Sequence, residues 1–240
     1  MQKFIWLGDS WTYGFELTEE QRTTSSYPMI VSSAFDVDCI NLGEVGSSIE
    51  YMLYALTKNR HLVSSGDVIL FNLTSKYRFL WIEEDGTPAV TLQLLARRKP
   101  TDYSMVKEAF QKYFVNEQYV NWKATNMLNS LYLLAKELGA TPMFLNIFSR
   151  TKFVDDIIVP EENWLLPQDK CIAEYILGYI SDKDLVVVED MPDLTVEEWQ
   201  QTKPFVEKYI HPLKQHPNVD GHRKIASGLI EELKNKELVK

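Results

Sequence analysis

Apolar residues fall into two patterns along this chain of 240 residues. The first is a set of short runs at residues 4–7, 37–41, 68–71, 142–148 and 185–188, most of them continuously apolar. Runs this short, without polar alternation, read as parallel strands covered on both faces. The second pattern is helical spacing between the runs. Ile49, Met52, Leu53, Leu56 and Val63 predict a helix starting near Ser47, where Ser47 and Glu50 form a capping-box pattern. Val106, Phe110, Tyr113, Val120, Ala124, Met127, Leu131, Leu134 and Leu138 form the longest stripe, broken at Glu117 and stopped by Gly139. That stripe reads as a packing face. A closing helix from about Val219 turns Ile225, Leu229 and Leu233 inward. Alternating strands and helices predict an α/β fold. It is a three-layer, doubly wound open sheet of about five parallel strands, with helices on both faces and flavodoxin-like.

No internal repeat or low-complexity linker divides the chain, so one domain over residues 1–240 is expected. Two stretches stand outside the alternation, near 76–103 and 149–181. Each follows the carboxyl end of a strand. They are expected either to overhang the ligand crevice or to pack their aromatics on the domain's flank.

Charge narrows the class of partner. A formal charge of −9 and a pI near 5.0 argue against nucleic acid and against anionic membrane surfaces. Arg97-Arg98-Lys99 is too short a basic run to change that. No stretch approaches the roughly 18 apolar residues of a membrane span. The first apolar run breaks at Gly8-Asp9, too soon for a secretory segment. Cys39, in the second predicted strand, and Cys171, in a late helical segment, read as free thiols. His61, near the end of the second helix, reads as a surface residue favoured by the helix dipole.

The chemistry lies at the ends of the strands. Gly8-Asp9-Ser10 follows the first run without a spacer, which puts a serine in the crevice where open α/β sheets hold ligands. Asp9 is expected to bond nearby backbone amides. A plain polar turn is the alternative reading. Near the other end, His216-Pro217-Asn218-Val219-Asp220-Gly221-His222 runs into the last helix. After the second run comes Asn41-Leu42-Gly43-Glu44-Val45-Gly46-Ser47-Ser48. In order and kind, these three segments resemble the blocks of the SGNH, or GDSL-type, serine hydrolases.

The resemblance implies Ser10 as nucleophile and His216 as general base. A serine hydroxyl needs such a base, and imidazole titrates near neutrality. It also implies an oxyanion hole from the N–H groups of Ser10 and Gly46 with a side chain of the third block. Lacking Cβ, Gly46 lets its backbone approach a reacting carbonyl closely. The chain departs from the pattern twice. In place of Gly-x-Asn-Asp it has Asn72-Leu73-Thr74-Ser75, so Thr74 or Asn72 is the candidate third donor. The acid three residues before the histidine is replaced by Leu213. The partner of His216 is then the Leu213 carbonyl, Asp190 or Asp193.

His211, His216 and His222, with Asp220, match no common zinc spacing, and no metal or cofactor is expected. His222 is expected to cap or pack the last helix. The expected function is hydrolysis of a small acyl ester, with an O-acetyl carbohydrate as the first candidate. Short-chain carboxylesterase, thioesterase and acyltransferase activities are the other enzymatic readings. The alternative is a non-catalytic SGNH-fold binding or structural protein. Thr74-Ser75 with Arg78 is similar to variants in bacteriophage and bacterial genomes, so a cytoplasmic or virion-associated place is expected. Oligomeric state is left open.

Overall fold

The computed structural model describes residues 2–76, 78–82, 88–89, 117–147, 156–172, 208–209 and 216–238. At its centre is β1 (Lys3–Leu7), paired in parallel with β2 (Asp38–Asn41) on one side and β3 (Val68–Leu73) on the other. β4 (Thr141–Asn146) pairs in parallel with β3, giving the order β2-β1-β3-β4. The predicted fifth run, 185–188, lies outside the described residues, as do Val106, Phe110 and Tyr113 of the long stripe.

Alternate residues of the strands feed two helical layers. Phe4, Trp6, Val68, Leu70, Met143 and Leu145 face α3 (Tyr27–Ala34) and the closing helix, which runs from Val219 to Asn235. Ile5, Leu7, Ile69, Phe71 and Phe144 face α4 (Ile49–Lys58) and α5 (Glu117–Glu137). β1 and β3, covered on both faces, are nearly continuous apolar runs for the reason expected, whereas β2, which carries Asp38 and Asn41, is only partly buried. The closing helix is labelled α6; α1 (Ser10–Tyr13) and α2 (Glu19–Ser25) lie between β1 and α3.

Three local expectations are corrected. The cap of α4 is Ser48, whose hydroxyl accepts from the Tyr51 N–H at 3.2 Å. Ser47 instead donates its hydroxyl to the Gly8 carbonyl at 2.7 Å, and Glu50 pairs with Lys123 at 2.9 Å. β3 runs on to Leu73, because Asn72 and Leu73 find partners in Leu145 and Asn146. Asn72 is therefore a strand residue. Cys171 does not sit within a helix but makes a parallel bridge to Asn146, and neither it nor Cys39 is in a disulfide.

The described part of the second irregular stretch, 156–172, lies along β4. Leu165 N–H bonds the Phe144 carbonyl at 2.8 Å, and Trp164, Leu165 and Leu166 are buried. Trp164, the aromatic of this described part, packs on the Phe144 ring of β4 with centroids 5.8 Å apart. In the first stretch, Trp81–Ile82 pairs antiparallel with Pro88–Ala89. No helix among the described residues is long and apolar enough to cross a membrane.

α6 is docked by a close approach. A Cβ on Gly221 would stand 2.1 Å from the Tyr209 carbonyl oxygen and 3.0 Å from Pro217 Cβ. That carbonyl accepts the Asn218 N–H at 3.0 Å, and the Asn218 side chain caps α6 by accepting the Gly221 N–H at 2.9 Å. Backbone yields little, so Gly221→Ala should lose about 2 kcal/mol of stability in urea unfolding. It should also shift His216, which lies in the segment that would be displaced. A variant as stable as the parent would show that this approach relaxes freely.

Candidate active site

Ser10 opens a helix of a single turn. Asp9 caps it, its Oδ1 accepting the Trp11 N–H at 3.0 Å. The helix is closed by Gly14 at φ 79°, and the N–H groups of Gly14 and Phe15 both bond the Ser10 carbonyl at 3.0 Å. A side chain at Gly14 would be strained by that left-handed backbone. The turn brings Phe15 and Glu16 beside the histidine that Ser10 contacts.

His216 comes from the segment before α6, and its Nε2 lies 2.8 Å from Ser10 Oγ. The two residues are 206 positions apart in sequence. The Phe15 ring packs against the imidazole with centroids 5.2 Å apart. Glu16 Oε1 lies 3.8 Å from His216 Nδ1, and the Glu16 side chain is only 5% exposed. Sequence reading missed Glu16. The one available signal was an acidic residue just past the glycine that closes the serine's turn.

Asp9 is fully buried and bonded on both oxygens. Its Oδ2 accepts Thr74 Oγ1 at 3.1 Å and Arg78 Nη1 at 3.0 Å. A buried carboxylate needs such partners. Arg78 also donates to the Ser47 carbonyl at 3.4 Å. Lys123, buried on α5, donates to the Arg78 carbonyl at 2.7 Å and stands 3.4 Å from the Phe79 ring centroid. Burial pulls its ammonium below the ordinary lysine range, with Glu50 opposing. This chain of contacts fixes the serine's turn from the side of β3.

The second block is stitched to the same turn. Asn41 donates to the Thr12 carbonyl at 2.8 Å and accepts the Gly43 N–H at 2.9 Å. The Gly8 carbonyl takes the Glu44 N–H at 3.0 Å as well as the Ser47 hydroxyl. Gly46 sits at φ 75° in this loop. Neither its N–H nor that of Ser10 is taken by a hydrogen bond among the described residues.

The two candidate third donors are placed differently. Thr74 follows β3 and gives its hydroxyl to Asp9. Asn72 is fully buried on the strand face it shares with Leu70, and its amide has no hydrogen-bond partner. Leu213, Asp190 and Asp193 lie outside the described residues.

His222 packs as expected. Its ring stacks on Tyr27 with centroids 5.6 Å apart, and its Nδ1 accepts the Tyr27 N–H at 3.2 Å. Burial, with His216 nearby, pushes it down to about 3. The Tyr27 hydroxyl lies 2.7 Å from Thr12 Oγ1, and burial drives that phenol strongly upward against the opposing Thr12 bond. This buried chain joins α1, α3 and α6. No group of three or more metal-ligating side chains occurs among the described residues.

A parallel sheet of this order, with a serine at the end of β1 and a histidine ahead of the last helix, is the α/β fold of the SGNH hydrolases. Solved structures carry the same likeness. TesA matches with a TM-score of 0.50 at 10% identity, over 98% of this chain and 99% of that one. A member of the lipolytic protein G-D-S-L family from Veillonella parvula matches at 0.45 and 14%, over 96% and 97%. A mutant of Axe2, an acetyl-xylooligosaccharide esterase from Geobacillus, matches at 0.46 and 14%, over 100% and 96%. At these identities the likeness is one of fold. No protein-family model matches the chain, and no curated protein does.

Proposed function

We propose that this chain is a serine ester hydrolase acting on small acyl esters, with Ser10 as nucleophile and His216 as general base. The carrying observation is the 2.8 Å contact between Ser10 Oγ and His216 Nε2. That is within the reach a base needs to take a hydroxyl proton. In the proposed reaction Ser10 Oγ attacks the acyl carbon while its proton passes to Nε2. The N–H groups of Ser10 and Gly46, neither taken by a hydrogen bond among the described residues, stabilise the oxyanion. The imidazolium then returns the proton to the departing alcohol oxygen. Water repeats the sequence on the acyl-serine, releasing the acid and restoring Ser10.

An O-acetyl group on a carbohydrate is the substrate we favour. Exposed rings support it: Phe15 beside His216, and Tyr119 and Trp122 on α5, stacked in turn with Phe79. Flat aromatic faces suit the apolar faces of sugar rings. The third block favours a second reading, a non-catalytic binding protein, because the family's asparagine is a threonine whose hydroxyl serves Asp9.

A fluorophosphonate probe with mass spectrometry of the labelled peptide separates the two. Labelling confined to Ser10, together with hydrolysis of p-nitrophenyl acetate, is the expected result. Absence of labelling at any pH between about 6 and 9 would favour the binding protein.

A further inference from the structure

The turn after the serine's helix holds an acid beside the base. We propose that Glu16 is the positioning acid of this site, doing for His216 what the residue at position 213 does in chains with an aspartate there. The proposal rests on the hydrolase reading above. Glu16 Oε1 is 3.8 Å from Nδ1, and a side chain 5% exposed places its carboxylate where solvent screens it little. A carboxylate at Nδ1 favours the tautomer with the proton on that nitrogen, which leaves Nε2 free to accept from Ser10. During attack the proton moves from Ser10 Oγ to Nε2, and Glu16 keeps its charge opposite the imidazolium. The 3.8 Å separation is longer than a hydrogen bond, and such contacts tighten as charge develops on the ring.

The local backbone explains why this acid is in reach. Closure of α1 at Gly14 reverses the chain, so residues 10–16 supply both the nucleophile and the partner of the base. Phe15 packs on the imidazole and limits its rotation. Among the described residues, the titratable groups brought to His216 are Glu16 from the turn and His222 from α6. His222 is neutral near pH 7 because burial holds it far below the usual histidine range. Of these two, Glu16 is the one that can place a negative charge beside the ring.

The test is an NMR titration of the His216 ring in the parent and in Glu16→Gln, read beside the pH profile of kcat/KM. Loss of the charge should lower the His216 midpoint by roughly one unit, and the acid limb of kcat/KM should follow it. kcat should fall roughly a hundredfold. Glu16→Asp keeps the charge and should retain most of the midpoint. An unchanged midpoint in a folded Glu16→Gln protein would overturn the assignment. If that variant does not fold, the parent still decides the matter. A nuclear Overhauser contact between His216 Nδ1–H and the Glu16 side chain is expected, and its replacement by one to Leu213, Asp190 or Asp193 would overturn the proposal. The titration needs no substrate, so an inactive parent would count against the hydrolase reading alone.

Discussion

Ser10→Ala is expected to fold like the parent and to lose about four to six orders of magnitude in kcat on p-nitrophenyl acetate, with all fluorophosphonate labelling. Little of the fold depends on the hydroxyl. The single turn of α1 is held by Asp9, by the Gly14 and Phe15 N–H groups, and by Thr12 against Tyr27. His216→Ala should lose nearly as much, since the serine is a weak nucleophile without its base. The informative measurement is the double variant. Residues that act as one unit are not additive, so Ser10→Ala with His216→Ala should be no slower than the worse single variant. Losses that multiply, or a single-variant loss under about tenfold, would mean that the two residues do not share one proton transfer.

Acid should destabilise the protein steeply through His222. In the unfolded chain its imidazole takes a proton near pH 6.5, whereas in the folded protein it does so only near 3. Between those values the unfolded state holds the extra proton, so stability rises with pH. The contribution is complete above about pH 6.5 and is lost as pH falls toward 3. From pH 7 to pH 4 the loss amounts to about 3 kcal/mol from this one group. Urea unfolding at several pH values would measure it. Carboxylates add their own acid dependence, so His222→Gln is the needed comparison. That variant should be weaker at neutral pH but lose less on acidification. Equal slopes in parent and variant would show that His222 protonates without disturbing its stack on Tyr27.

Sequence made the sheet legible because most of its strands are local runs of apolar residues, and the first four predicted runs appear as β1 to β4. Ser10 and His216 were legible for a related reason: each lies in a short contiguous motif. What the sequence left open depended on tertiary partners. The end of β3 is set by pairing with β4, which decides that Asn72 is a strand residue and Thr74 a loop residue. Of two adjacent serines, Ser48 caps α4 because the Gly8 carbonyl draws Ser47 away. Lys123 interrupts an apolar helix face to reach Glu50 and the Arg78 carbonyl, contacts that no spacing rule announces. Glu16 was hidden for a geometric reason. Its nearness to His216 depends on the reversal at Gly14 and on where α6 docks.

The contact between Thr74 and Asp9 bears on how this chain could change. Introducing asparagine at position 74 would supply an amide donor, yet it would remove the hydroxyl that holds the carboxylate next to Ser10. Arg78 would then be left to hold Asp9 Oδ2 with one ligand fewer among the described residues. The benefit of that substitution thus depends on what stands at position 78. Because both side chains hold the same oxygen, substitutions at 74 and 78 are expected to be non-additive, and an engineered route to an asparagine at 74 should change the two positions together.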